Sequence, residues 1–244
     1  MNRLKKTYYR LFNFASDFIS GITLFRIISE VTFPAKYKKV ISFSLFGNGE
    51  RYLLNIDDCI NSYKTFYNDW IIRIYISKDT SNLVLDKLKK HGCEIIIMNS
   101  TGIDSRYMFW RFLVFDDIHV TTAIVRDIDS VGSSREKKMV DNWITSGKKL
   151  HIIRDHPNHQ SRIMGGMWGL AINGKSYGIK KEILAFKKKW NGYGVDQEFL
   201  NTIYKKNIDD IYINDIYKRY SNETPTIIQH DSDDFYIGQI NYQN

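Results

Sequence analysis

A chain of 244 residues, 43% apolar and 14% aromatic, suits one large α/β domain with a sizeable core better than two full domains. No run of about 18 apolar residues occurs, so the sequence predicts no transmembrane helix. The net charge of +8 fits an anionic partner, with liberal use of Lys as the plain alternative, and the two cysteines, Cys59 and Cys93, match neither a zinc pattern nor a disulfide scaffold and read as reduced cytoplasmic thiols.

The chain opens with Arg3, Lys5, Lys6 and Arg10 before any acidic residue. Leu11, Ala15, Phe18, Ile19, Ile22 and Phe25 then recur at helical spacing. Residues 1–36 are therefore expected to be a basic amphipathic helical segment. It reads equally as a peripheral contact at the inner face of a membrane or as a helix packed on the domain or on a second subunit. The polar residues Asn13, Ser16 and Asp17 interrupt the apolar run that a secretory signal would need. Pro34 marks the expected boundary, and residues 37–244 form the expected catalytic domain.

Beyond Pro34 the pattern alternates. Val40 to Phe46 is β-rich, Tyr52 to Tyr67 has helical spacing, and Trp70 to Ile76 is again a strand. Asn82 to His91 predicts a helix stopped by Gly92, and Glu94 to Met98 a third strand. Ser105 to Phe115 predicts a helix and Thr121 to Val125 a fourth strand. This order argues for an α/β fold with a mostly parallel central sheet and helices on both faces. Ligands then sit at the carboxyl ends of strands, so the loops after Phe46, Ile76 and Val125 are expected to share a cleft. Further on, Lys149 to Ile153 and Gly166 to Ile172 read as strands, and Lys180 to Lys189 and Val195 to Lys206 as helices. Strand and loop follow from Ile211.

The fourth strand runs into Arg126-Asp127-Ile128-Asp129-Ser130. In an extended stretch the two carboxylates fall on one side, two residues apart. Such paired hard oxygen ligands suit Mg²⁺ or Mn²⁺, which commonly complete their shells with substrate phosphates. Asp129 is the expected direct metal ligand, and Asp127 a ligand of metal or ribose. The loop Phe46-Gly47-Asn48-Gly49-Glu50-Arg51 follows the first strand, and its glycines permit close backbone approach to a ligand. The segment Arg154-Asp155-His156-Pro157-Asn158-His159, followed by Gly165-Gly166-Met167-Trp168, has the polar and aromatic groups a sugar site uses. His156, His159 and Trp168 are the expected acceptor contacts, and Gly165 and Gly166 are expected to pass close to the diphosphate or sugar. No Walker loop and no Gly-x-Gly-x-x-Gly occurs.

The stretch from Phe109-Trp110-Arg111-Phe112 to Arg126-Asp127-Ile128-Asp129 resembles the GT-A glycosyltransferases, in which a helix carrying Arg leads into a strand ending in Asp-x-Asp. Gly194-Val195-Asp196-Gln197-Glu198-Phe199-Leu200-Asn201 is similar to the Asp-Gln-Asp-x-Leu-Asn stretch of family 8, with Glu198 in place of the second Asp. The likeness spans roughly residues 38 to 230. It implies a GT-A fold and metal-dependent sugar transfer from a nucleotide-diphosphate sugar, a UDP-hexose, and the basic amphipathic N-terminus beside such a transferase points to a glycan or lipid-linked acceptor of cell-surface polysaccharide or lipopolysaccharide synthesis. The resemblance places Arg111 by the donor, with Arg106 and Arg126 counted on the same side, and Asp196 and Gln197 by the reacting sugar. Asp196 or Asp155 would take the acceptor proton in an inverting enzyme. The Asp-Gln-Glu likeness favours retention. A late His ligand is also implied, for which His230 is the candidate and Mn²⁺ the better-suited ion. The Lys-Pro-Trp that follows this His in family 8 is absent here. Nucleic acid is not an expected partner, and an oligomer is compatible with the sequence. The alternatives are a nucleotidyltransferase that makes sugar nucleotides, or a non-catalytic protein binding nucleotide or nucleic acid.

Overall fold

The computed structural model describes residues 23–47, 55–186, 192, 194–230 and 236–239. Four parallel strands form the centre of the sheet: β2 (Lys38–Leu45), β3 (Ile71–Ser77), β4 (Glu94–Met98) and β5 (Val120–Val125). β1 (Ile27–Val31) runs antiparallel on the outer edge of β4. Beyond β5 lie β7 (Trp168–Ala171), antiparallel to it, then β6 (Leu150–Arg154), antiparallel to β7, then β8 (Ile211–Asp215), parallel to β6. The order across the eight strands is β1-β4-β3-β2-β5-β7-β6-β8.

The central strands are buried on both faces, as their Val and Ile runs require of parallel strands under helices. Two apolar clusters result. One packs Ile41, Phe43, Ile74 and Ile124 against α1 (Ile56–Phe66), α2 (Asn82–Lys90) and α3 (Ser134–Ser146). The other packs Val40, Tyr75, Ala123 and Val125 against the segment Ser105–Asp116, α4 (Ile179–Ala185) and α5 (Val195–Lys206). Helix ends follow local chemistry. Ser81 caps α2 by accepting from Val84 N at 3.4 Å, and Gly92 follows that helix at φ 62°.

Three features depart from the sequence reading. First, Ser105–Asp116 is a 3₁₀ helix and not an α-helix. Its side chains are aromatic and buried on nearly every side, and at three residues per turn positions i and i+3 eclipse. Tyr107 and Trp110 therefore stack at 4.2 Å, and Phe109 meets Phe112 edge-on at 5.8 Å. Second, α3 is a 13-residue helix that the pattern did not predict. Its signals are Ser133 and Glu136 at capping-box spacing, with Ser133 Oγ accepting from Glu136 N at 3.1 Å, and Gly147 as the left-handed cap. Third, part of the segment expected to be helical is strand β1, and Phe25 is buried with Leu24 in the core. Trp110 Nε1 donates to Leu24 O at 2.9 Å, so this stretch is built into the sheet. Residues 1–22 of that segment lie outside the described residues.

A buried ion network ties the amino ends of the central strands together. Glu94 of β4 accepts from Lys38 Nζ of β2 at 2.6 Å, from Arg73 Nε of β3 at 2.7 Å, and from Phe33 N at 2.9 Å. Arg73 also donates to Asp117 at 2.7 Å. Glu94 is wholly buried, and the Lys38 and Arg73 side chains are each 3% exposed. Removing the carboxylate strands the buried Lys38 ammonium and leaves Arg73 with Asp117 alone, a loss of about 3–5 kcal/mol. Glu94→Ala should lower the urea midpoint by that free energy divided by the slope, with the slope itself unchanged. A loss of about 0.5 kcal/mol, typical of a surface site, would contradict this account of the network.

Candidate active site

β2 and β5 are parallel neighbours, so the residues that follow them emerge on one side. Beyond β5 the next strand is antiparallel, which leaves the ends of β2 and β5 open to a cavity of 390 Å³. Phe46, Arg111, Asp127, Asp129, His159, Gly165, Gly166, Asp196 and Gln197 all line it. Its described lining includes no residue of the loop after β3, which the sequence grouped with this cleft.

Asp127 and Asp129 lie in a turn, not in the extended strand end that the sequence predicted. Ser130 folds back on Asp127 O through both its N (3.1 Å) and its Oγ (2.7 Å). Ile128, between the two acids, is buried in the cluster under α1 and α3, which anchors the turn. Asp127 is 45% exposed at its side chain, and Asp129 is buried beside it.

Arg111 organises the rest. The 3₁₀ segment carrying it is fixed to β2 through its backbone: Ser42 Oγ donates to Arg111 O at 2.7 Å, and Arg111 N donates to Ser44 Oγ at 3.0 Å. The guanidinium pairs with Asp127 through Nη1 and reaches Asp196 Oδ2 through Nη2 at 3.1 Å. Burial opposes its charge, but Asp127 and Asp196 outweigh this and hold its pKa above the usual arginine range. Asp196 sits in the first turn of α5, where a carboxylate complements the helix dipole, and its Oδ1 accepts from Gln197 N at 2.9 Å. Gln197 Oε1 in turn accepts from Ser161 Oγ at 2.6 Å.

A side chain on either glycine of the turn before β7 would force a carboxylate of the site to move. A Cβ on Gly165 would collide with Asp196 Oδ2 and lie 2.9 Å from Arg111 Nη2. On Gly166 it would collide with Asp127 Oδ2. The backbone thus passes against the carboxylates themselves, a closer constraint than the ligand approach that the sequence suggested.

Other predicted residues lie elsewhere. Arg126 is 1% exposed and is consumed by Glu136 (2.8 Å) and by the carbonyls of Val125 and Trp168. Trp168 is wholly buried between Phe112 and Phe115, at 5.1 and 4.8 Å, so it offers no face to an acceptor. Arg106 is paired with Asp104 at 2.9 Å, away from the cavity lining. Gly47, at φ 75°, packs on Ile103. Asn48 and Arg51 lie outside the described residues. His156 lies against Tyr236 with the rings tilted and their centres 4.2 Å apart, and its Nδ1 accepts from Asn158 N at 3.2 Å. Asp155 is 1% exposed, with its oxygens bound by Arg135 and by Ile237 N at 2.9 Å. A carboxylate so engaged does not suit the general-base role expected of it. His230 Nε2 lies 3.7 Å from Asp155 Oδ1, which places this expected metal ligand beside Asp155. Among the described residues no group of three or more His, Cys, Asp or Glu is arranged to hold a metal ion. Met164, Met167 and Gly238 line the cavity without having been singled out in the sequence, because apolar and Gly positions there carry no chemical signal.

No protein-family model and no curated protein matches the chain. Solved structures do. S. aureus TarS 1–349 in complex with UDP-GlcNAc is similar over 80% of this chain and 59% of that one, at 10% identity and a TM-score of 0.50. A second structure of S. aureus TarS 1–349 matches over 72% of this chain and 57% of that one, at 11% identity and the same TM-score of 0.50. Glucosyl-3-phosphoglycerate synthase from Mycobacterium tuberculosis, in complex with Mn²⁺, UDP-glucose and phosphoglyceric acid, covers 73% of this chain and 69% of its own, at 11% identity and a TM-score of 0.48. The chain spans less than two thirds of the length of the TarS structures it matches. The likeness to TarS establishes the fold, a GT-A-like α/β domain.

His159 gives the cavity a pH signature. Its Nδ1 accepts from Asp155 N at 3.0 Å, so the neutral ring carries its proton on Nε2. Burial, then the neighbouring His156, pushes its pKa down from 6.5 to about 4. Below pH 6.5 the unfolded chain takes a proton that the native state refuses, so this ring favours folding above 6.5 and loses that contribution as pH falls toward 4. The slope is about 1.4 kcal/mol per pH unit. In urea melts between those limits, His159→Gln should flatten the pH dependence by one proton. An unchanged slope would show that the ring titrates normally in the fold.

Proposed function

We propose that the protein is a metal-dependent glycosyltransferase that moves a sugar from a nucleotide-diphosphate sugar, a UDP-hexose, to a glycan or lipid-linked acceptor. The observation that carries this reading is the convergence of Asp127, Asp129, Arg111 and Asp196 on one cavity at the ends of parallel strands in a GT-A-like fold. The Asp turn fits a divalent cation of the Mg²⁺ or Mn²⁺ kind, because two carboxylates leave the rest of the shell to phosphate oxygens and water. Asp129 and Asp127 would hold it, and when bound it would offset the charge on the departing diphosphate.

The chain's own groups divide the remaining work. Arg111 sets the Asp127 carboxylate and adds positive charge beside the diphosphate. Asp196 has one oxygen on Arg111 and the other on Gln197 N, which suits a group that orients the reacting sugar. Transfer breaks the bond from the anomeric carbon to the diphosphate oxygen and forms one to the acceptor oxygen, which gives up its proton. His159 is neutral and lines the same cavity, so it can hydrogen-bond a sugar hydroxyl. An acceptor at a membrane surface agrees with the basic residues of the N-terminus and with the exposed Ile27, Ile28, Val31 and Phe33 that follow them. Among the described residues no helix is long and apolar enough to cross a membrane.

The direct test incubates a panel of nucleotide sugars with and without Mn²⁺ and follows donor hydrolysis. Wild type should hydrolyse one of them slowly and only with metal, and Asp129→Ala should lose about 100-fold or more. Gly166→Ala, which displaces the Asp127 carboxylate, should lose a similar factor. Equal rates in all three proteins, or no nucleotide sugar bound by wild type, would overturn the reading.

A further inference from the structure

One part of the cavity wall is Gly238, carried by the stretch 236–239. Gly238 lines the cavity at φ 83°, so close to Met167 Sδ that a Cβ there would stand at 2.9 Å. Ile237 is 3% exposed and packs with Met139 of α3, Ile153 of β6 and Met167. The stretch is closed on itself, with Gln239 N on Tyr236 O at 3.1 Å. Tyr236 lies against His156, at 4.2 Å between ring centres.

Asp155 holds this stretch. It stands just beyond β6, and Arg135 of α3 grips both its oxygens, Nη1 reaching Oδ2 at 2.7 Å and Nη2 reaching Oδ1. Oδ2 also accepts from Ile237 N at 2.9 Å. A buried carboxylate is tolerated when a cation and further hydrogen bonds satisfy it. Arg135 supplies the charge, and the Ile237 amide supplies a bond that exists only when residues 236–239 lie in place. The burial of Asp155 and the seating of the wall therefore depend on each other.

We propose that Asp155, clamped by Arg135, is a positioning residue that latches residues 236–239 onto the cavity and so completes the nucleotide-binding wall. The ligand named here rests on the glycosyltransferase reading above. The latch rests on the contact between Asp155 and Ile237 alone. It gives Asp155 a role distinct from general base, because no oxygen of it needs to meet the substrate.

The experiment compares wild type, Asp155→Ala, Asp155→Asn, a chain ending at residue 235, and that shortened chain carrying Asp155→Ala. Amide exchange at Ile237 without ligand reads the latch, and calorimetric affinity for UDP with Mn²⁺ reads the wall. Asp155→Ala should speed Ile237 exchange and weaken UDP about tenfold, and the shortened chain should weaken UDP by a similar factor. For UDP affinity the two changes together should cost no more than the larger alone, since Asp155 acts on the nucleotide only through residues 236–239. Asp155→Asn, which keeps an acceptor for Ile237 N, should retain most of the protection. In turnover, Asp155→Ala should raise the donor KM with kcat nearly unchanged. Unaltered Ile237 exchange, multiplied losses in the combined variant, or full UDP affinity in the shortened chain would each overturn the proposal. If Asp155→Ala does not fold, Arg135→Gln, which loosens the grip on Asp155 and keeps the carboxylate, decides: faster Ile237 exchange supports the latch and unchanged exchange overturns it. A wild type that binds no nucleotide contradicts the glycosyltransferase reading, and the exchange measurement still decides the latch.

Discussion

The Arg111 guanidinium joins two carboxylates that belong to distant parts of the chain, Asp127 after β5 and Asp196 at the start of α5. All three are needed together. A buried guanidinium left without anions is costly, and Asp196, 1% exposed, would be equally costly without its cation. The pairing therefore fixes where α5 begins relative to the sheet, and hence where Gln197 and Ser161 meet. The backbone of Arg111 is itself held by Ser42 and Ser44, so the same residue reports the position of β2 to the site.

This arrangement leaves little volume for anything else. Gly165 and Gly166 pass so near Asp196 and Asp127 that any side chain would displace a carboxylate. The anchoring of Ile128 in the opposite core and the fold-back of Ser130 onto Asp127 O set the direction in which the acids emerge. A preorganised site of this kind spends no reorganisation when charge develops in it, which is the property that phosphate-leaving chemistry uses. The wall that Asp155 holds belongs to the same logic, a buried charge whose cost is met only when the surrounding parts are assembled.

The parallel centre of the sheet was legible because Val- and Ile-rich runs separated by helical spacings have few other solutions, and the ends of β2 and β5 followed from it. The convergence of Arg111, Asp127, Asp129, Gly165, Gly166, Asp196 and Gln197 on one cavity was legible through short motifs and a resemblance. Arg126 and Trp168 misled for one reason. Both types serve ligands when exposed, and nothing local shows that Glu136 consumes the first and that Phe112 and Phe115 enclose the second. The 3₁₀ segment was unreadable as such, because a stretch apolar all round has no period to distinguish it from an α-helix. β1 was obscured by the amphipathic spacing just before it, and α3 by its charged composition, although its capping residues were in plain view. Asp155 looked catalytic because its partners, Arg135 and Ile237, come from elsewhere in the chain.

A crystal structure of the protein with Mn²⁺ and UDP, with the ion located by anomalous scattering, tests the central claim most directly. The account predicts an Mn²⁺ peak within ligand distance of Asp129 or Asp127, with the nucleotide in the cavity that Arg111 also lines. A nucleotide bound elsewhere, or a cavity in which Asp127 and Asp129 contact only protein, would contradict it.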